Sequence, residues 1–213
     1  MIKDVFNLYI ERSDFFIELT YQHLSISGIS ILISSFLGIS IGIFISHYNK
    51  FSSFCMSFVN FIYTIPAISL LGFLIPISGI GDITAIIALS IYGLLPMVRS
   101  TYTGINNIDV FIIESAKGMG STEFQILCKV KITLATTVIL SGFRNMVVMT
   151  IALCGISSFI GAGGLGVAIY RGITTNNAVL TIAGSLLIAI IASLVDLLIG
   201  YLENTLKRKW RLL

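Results

Sequence analysis

Charged residues are scarce in this sequence. Only 11% of its 213 residues are Asp, Glu, Lys or Arg, whereas 56% are hydrophobic and the mean hydropathy is +0.99. Soluble domains hold about 25% charged and about 45–50% apolar residues. Too few charges remain to cover a surface in water, which excludes an ordinary soluble protein. We therefore expect an integral protein of the cell membrane.

Motifs for metals, cofactors and nucleotides are also missing. Cys55, Cys128 and Cys154 show no C-x-x-C or Cys/His spacing, so neither a metal site nor a disulfide framework is indicated. No G-x-x-x-x-G-K-[ST] phosphate loop is present. Residues 1–22 mix acidic and basic side chains without a cleavage site, so we expect no secretory signal. We expect no catalytic residue, metal or cofactor on this chain.

The uncharged runs that fill the sequence are long enough to cross a bilayer. A transmembrane helix needs about 20 apolar residues, because each adds about 1.5 Å across a hydrocarbon core of about 30 Å. The runs predict an all-α membrane protein with five transmembrane helices, at residues 24–46, 51–81, 83–98, 132–153 and 172–195. A sixth span through residues 145–170 remains an alternative. No repeat or linker divides residues 1–213, so we expect a single domain.

Basic residues are unevenly distributed between the spans. Lys50 follows the first span, a basic stretch at residues 99–131 follows the third, and a cluster at residues 207–211 closes the sequence. The positive-inside rule places all three regions in the cytoplasm, and two crossings separate each from the next. The amino terminus and the loops after spans two and four would then face outward. A sixth span would put the basic tail outside.

The stretch at residues 107–131 is too polar to cross a membrane but has helical signals. Asp109 can cap a short helix that Gly118 and Gly120 end. Thr122 and Gln125 then match a T-x-x-Q capping box, which predicts a second helix. We expect a helix-turn-helix loop in the cytoplasm.

Apolar residues on the second helix predict a docking face. Phe124, Leu127 and Cys128 follow i, i+3 and i+4 spacing, which places them on one side of an α-helix. Amphipathic cytoplasmic helices also occur between spans without any partner, and that alternative applies to the helical pattern alone.

The same loop resembles the EAA loop of ABC importer permeases. That pattern is Glu-Ala-Ala, three residues, Gly, nine residues, then an apolar residue and Leu-Pro. Here Ser115 replaces the second residue, and Thr133 stands where proline is usual. The resemblance implies that the loop couples the membrane domain to an ATPase. The residues aligned with that pattern are Glu114, Ser115, Ala116 and Gly120. Together with Gly118 at the turn and Phe124 and Leu127 on the apolar face, they are the loop residues that we expect to take part in this coupling.

Three further segments look like the permeases of osmoprotectant importers for glycine betaine, carnitine, choline or proline betaine. They lie at residues 63–76, 94–105 and 159–166, and the resemblance covers residues 19–202. It implies the type I ABC importer permease (MetI-like) fold. A permease for an amino acid such as methionine is the alternative within this class. An ion-coupled secondary transporter or channel is the alternative outside it, although no inverted repeat is found.

The resemblance also implies partners. Two permease subunits, identical or different, would form the pathway in the lipid bilayer. Cytoplasmic ATPase subunits would hold ATP and Mg, and a separate extracellular binding protein would deliver the solute. No nucleic acid is implied.

The glycine run Gly161, Gly163, Gly164 and Gly166 contains a formal match to G-x-G-x-x-G, but no strand precedes it and no acidic residue follows at the distance of a dinucleotide site. We interpret the run as a flexible or closely packed outer gate, with a plain turn as the alternative. Gly38 and Gly42 form a G-x-x-x-G pair, interpreted as packing inside the bundle, with a dimer contact as the alternative.

Candidate pathway residues lie within the spans. Pro66 can kink span two, and Tyr63 can offer an aromatic face to a quaternary ammonium solute, although both features also occur in plain packing. Arg144 is a charge inside an apolar span, which by default indicates function. Asp196 in the last span is its candidate ion-pair partner, and a purely structural pair or a snorkelling arginine is the alternative.

Overall fold

The computed structural model describes residues 1–209, apart from the side chains of residues 49, 208 and 209. Every regular element in that part of the chain is helical. The α-helices are α1 (Ile2–Glu11), α2 (Ser13–His47), α3 (Asn49–Thr64), α4 (Ala67–Ser78), α5 (Asp82–Asn106), α6 (Val110–Gly118), α7 (Glu123–Gln125), α8 (Ile132–Cys154), α9 (Gly166–Thr174) and α10 (Ala178–Lys209). A π-helix, Ile126–Lys131, joins α7 to α8, and a 3-10 helix, Gly155–Ile160, follows α8.

Four helical runs are long and apolar enough to cross a membrane, and a bent pair makes a fifth when it counts as one span. The runs are α2, α5, Glu123–Ile160 and α10, and the bent pair is α3 with α4. This confirms the predicted architecture, but α5 continues to Asn106 instead of ending at residue 98. Residues 145–170 form no additional span, because the chain leaves α8 through the 3-10 helix and a loop before α9.

The second span is broken. The axes of its two helices meet at 99°, at the peptide between Ile65 and Pro66. Ile65 is extended (φ −70°, ψ 126°), because the ring of a following proline disfavours helical backbone. The hydroxyl of Tyr92 donates to the carbonyl of Ile65, so a group freed by the break has a partner. The proline breaks the helix where we expected a kink.

Small residues bring α2, α5 and α8 close together. A Cβ added at Gly42 would lie 2.5 Å from the Cβ of Thr101, and one at Gly38 would collide with Met97. The hydroxyl of Ser34 donates to the carbonyl of Ser90 across the same interface at 2.9 Å. The G-x-x-x-G pair therefore packs inside the chain's own bundle, where close backbone approach replaces the hydrophobic drive that is missing in lipid.

Candidate functional site

The first half of the loop between α5 and α8 is a capped helix. The amide of Phe111 donates to Oδ1 of Asp109 at 2.9 Å, and this bond begins α6 as the sequence predicted. The chain leaves α6 through Gly120, whose φ of +83° is in the left-handed region that favours glycine. Gly118 is the last residue of α6.

The second half of the loop begins with the predicted capping box. The amide of Gln125 donates to Oγ1 of Thr122 at 3.3 Å, and the amide of Thr122 donates to Oε1 of Gln125 at 2.9 Å. The helix that follows is not separate, because α7 continues through the π-helix into α8. Movement of this half of the loop is therefore mechanically connected to the fourth span.

The side chain that faces the protein in this segment is not one of the predicted docking residues. Ile126 is 1% exposed, whereas Phe124 is 75% exposed. Leu127 is half-buried and Cys128 is exposed. The residues predicted to form a docking face thus point mostly away from the bundle, and Ile126, which the α-helical spacing did not select, anchors the segment.

Exposed apolar side chains extend across both halves of the loop. Phe111 is 75% exposed and Met119 is 80% exposed, and Val110 is also exposed. Together with Phe124 they form what we call the loop apolar surface, and such a surface outside a bundle is typical of a protein interaction site.

Polar contacts hold the loop in shape. Lys117 and Glu123 form an ion pair of 2.8 Å across the glycine turn. The hydroxyl of Ser115 donates to the carbonyl of Phe111, and Ala116 is buried. Glu114 is exposed and belongs to none of the ion pairs among the described residues, so its carboxylate is free to meet another subunit.

The glycine run at residues 161–166 is closely packed and joins three elements. The amide of Gly163 donates to Oδ1 of Asp82, the first residue of α5, at 2.7 Å. The amide of Gly164 donates to Oε1 of Gln22 in α2 at 3.0 Å. A Cβ at Gly166 would collide with the carbonyl of Gly155. The glycine run is therefore closely packed against its neighbours.

A cleft of about 280 Å³ lies between the end of α3, α5 and α8. Tyr63 lines it, and its ring meets that of Tyr92 edge to face with centroids 5.9 Å apart. The other lining residues are Leu95, Pro96, Arg99, Ser100, Asn145 and Met149. We call this the polar cleft. The sequence alone did not select Arg99 or Asn145. Span three was predicted to end at residue 98, which placed Arg99 in a loop. Asn145 is neutral and follows the charged Arg144, which drew the prediction.

Arg144 points away from this cleft, toward α10. It makes two hydrogen bonds to Asp196, and its Nη1 lies 3.6 Å from Oε2 of Glu203. Glu203 in turn pairs with Lys207 at 2.9 Å. Arg144 does not line the polar cleft. Of the basic cluster at residues 207–211, only the side chain of Lys207 belongs to the described residues.

The fold is that of the membrane-spanning subunit of a transporter. Its features are the broken second span, the close-packed bundle and the exposed loop between α5 and α8. Comparison with known proteins places it within that class. Residues 34–208 match the family described as "Binding-protein-dependent transport system inner membrane component", and the chain belongs to this family.

Relatives that align over most of this chain are permease subunits. The chain is 39% identical to the glycine betaine/carnitine/choline transport system permease protein OpuCD of Bacillus subtilis, over 93% of this chain and 87% of that protein. It is 35% identical to the carnitine transport permease protein OpuCD of Listeria monocytogenes, over 96% of this chain and 92% of that protein. These matches confirm the resemblance to osmoprotectant permeases.

A solved structure of the MetNI methionine ABC transporter has a similar fold. One of its chains, in an inward-facing form, aligns with a TM-score of 0.82 at 21% identity, over 90% of this chain and 95% of that one. The likeness confirms the expected type I permease (MetI-like) fold.

Proposed function

We propose that this chain is the permease subunit of an ATP-driven importer for small trimethylammonium solutes, such as glycine betaine, carnitine or choline. The observation that carries the proposal is the sequence identity of 35–39%, over 93–97% of this chain, to permeases named for those solutes. The ergothioneine transport permease/ergothioneine binding protein of Helicobacter pylori, 40% identical over 86% of this chain and 33% of that protein, adds a fourth trimethylammonium compound.

The energy for transport would come from a separate ATPase. The loop apolar surface and the free carboxylate of Glu114 suit a subunit that docks beneath the membrane. Because the capping box leads into α8 without a break, a displacement of the docked ATPase would move the fourth span directly. Gly120 would set the angle between the two halves of the loop.

The orientation follows from this role. The loop and the carboxyl terminus would face the cytoplasm, and the glycine run would face outward, where a solute-binding protein docks. Through Gly163 and Gly164 the run contacts the ends of α5 and α2, so docking there would reach two spans at once. A second permease subunit would complete the pathway.

Reconstitution tests the proposal. The permease, its ATPase and its binding protein are placed in lipid vesicles, and uptake of labelled glycine betaine, carnitine and choline is followed with ATP present. We expect ATP-dependent uptake of at least one of them, with methionine not transported. Uptake driven by an ion gradient without ATP, or uptake of methionine alone, would contradict the proposal.

A further inference from the structure

We propose that the polar cleft is a binding site for a zwitterionic trimethylammonium solute, with Arg99 holding its carboxylate and Tyr63 facing its ammonium group. The inference deepens the proposed function and rests on it. It also predicts a preference between solutes that the proposed function alone does not predict. Glycine betaine carries a carboxylate that Arg99 can hold, and choline does not.

Arg99 is the feature that first indicates a ligand. It lies roughly two turns before α5 ends at Asn106, inside a helix that crosses the membrane. Its side chain is exposed, and among the described residues none of the ion pairs or hydrogen bonds includes it. Arg144, by contrast, has carboxylates at 2.6 Å and 3.6 Å. Hydrocarbon solvates an unpaired arginine poorly, so an intramembrane arginine favours a polar or water-filled cavity, and the polar cleft is such a place beside Arg99.

The surroundings of Arg99 favour an anionic group. Ser100 and Asn145 add a hydroxyl and an amide, and none of the described residues that line the cleft is acidic. Among those lining residues, Arg99 carries the one formal charge, and it is positive. A guanidinium presents its N–H groups as a planar fork that matches the two oxygens of a carboxylate. A solute carboxylate would supply the partner that Arg99 lacks within the protein.

Tyr63 supplies a complementary surface for a cation. Tyr63 is 44% exposed as a residue, and its side chain is held by the edge-to-face contact with Tyr92 and by a hydroxyl contact of 3.5 Å to the sulfur of Met149. Aromatic faces attract quaternary ammonium groups through the negative charge of the π-system. The cleft thus combines an aromatic face for a cation with a guanidinium for an anion.

The size of the cleft limits what it can hold. Ligand pockets commonly occupy about 300–1,000 Å³, and the polar cleft, at about 280 Å³, lies just below that range. It suits a small organic ion more than a peptide. Choline would contact Tyr63 but leave Arg99 without its partner, so we infer that the cleft favours carboxylate-bearing solutes.

Equilibrium binding to the permease–ATPase complex, without the binding protein, tests the inference. Labelled glycine betaine and choline are compared on the wild type and on Arg99→Gln, with Lys50→Gln as a control that removes an exposed positive charge outside the cleft. We expect the wild type to prefer glycine betaine. Arg99→Gln should weaken glycine betaine binding by about tenfold or more and change choline binding little, because a charge-assisted bond is lost for one solute only.

Variants of Tyr63 test the proposed contact with the ammonium group of the solute. Tyr63→Phe keeps the aromatic face and Tyr63→Leu removes it, so only the second change should weaken both solutes. Arg99→Lys keeps the charge without the fork and should restore part of the glycine betaine affinity. This variant and the preference of the wild type keep the test informative should Arg99→Gln fail to assemble.

The outcomes separate the inference from the proposed function. Suppose first that the wild type imports glycine betaine with ATP, so that the transport function stands. The inference is then wrong if Arg99→Gln binds glycine betaine as tightly as the wild type does. It is also wrong if the wild type binds glycine betaine and choline equally, or binds neither detectably. An equal loss of both solutes in Arg99→Gln also overturns it, since that indicates a structural role. If the wild type imports no trimethylammonium solute, the proposed function itself fails, and the inference with it.

Discussion

Arg144 in α8 holds Asp196 in α10 through two parallel hydrogen bonds, from Nε to Oδ1 at 2.6 Å and from Nη2 to Oδ2 at 2.7 Å. The guanidinium also reaches Glu203, which is 6% exposed and pairs with Lys207. Gly200 makes room for the arrangement, because a Cβ there would lie 2.9 Å from the guanidinium carbon of Arg144. One arginine thus joins α8 to α10 through two carboxylates.

The ion pair predicts unequal effects of its two members. Arg144→Ala should lower the midpoint of thermal unfolding in detergent by several degrees and by more than Asp196→Ala, because it leaves Asp196 without its cation and also removes one of the two cations beside the buried Glu203. The double variant should lose less stability than the sum of the single changes. Strictly additive losses would argue that the two side chains do not stabilise each other.

The helix interface predicts a sharp dependence on glycine position. Gly42→Leu should destabilise the bundle by about 1–3 kcal/mol, because even its Cβ would lie 2.5 Å from that of Thr101. Gly28→Leu in the same helix is the matched control, since a Cβ at Gly28 meets nothing within 4 Å. Thermal unfolding and the amount of protein in the membrane measure the effect. Equal losses at both positions would mean that the α2–α5 contact is not tight.

The coupling role proposed for the loop between α5 and α8 predicts a variant that inserts normally but does not transmit ATP hydrolysis. Gly120 and Gly118 both have open space around an added Cβ, but only Gly120 has a positive φ. Gly120→Ala should therefore strain the turn by about 1 kcal/mol, whereas Gly118→Ala should not. With Gly120→Arg and Glu114→Ala we expect normal membrane levels and a loss of ATPase stimulation by loaded binding protein. Full uptake by both of these variants would show the loop to be an ordinary connection.

The proposed orientation predicts which positions are labelled from outside the cell. In a variant without Cys55, Cys128 and Cys154, a cysteine replacing Thr175 should react with an impermeant thiol reagent in intact cells. Cysteines replacing Met119 and Leu206 should react only after the membrane is opened. Position 119 lies in the loop proposed to be cytoplasmic, and the two crossings between positions 119 and 206 return the chain to the same side. Labelling of position 206 but not 119 from outside would require a further span.

The sequence by itself determined the number of spans, the cap at Asp109 and the capping box at Thr122 and Gln125. Each depends on local information: the length of an uncharged run against bilayer thickness, or a side chain bonding a backbone amide within three residues. The match between the loop and a known family was also readable, because its spacing is short and continuous.

Only the tertiary structure decided what the spans do to one another. The carbonyl freed by the 99° break at Pro66 finds its donor, Tyr92, in the next span. The polar cleft needs α3, α5 and α8 in contact, and hydropathy assigns Arg144 and Asn145 to one helix without saying that they face different neighbours. Such facing is set by which distant helix packs against each side, and that contact has no counterpart in the local sequence.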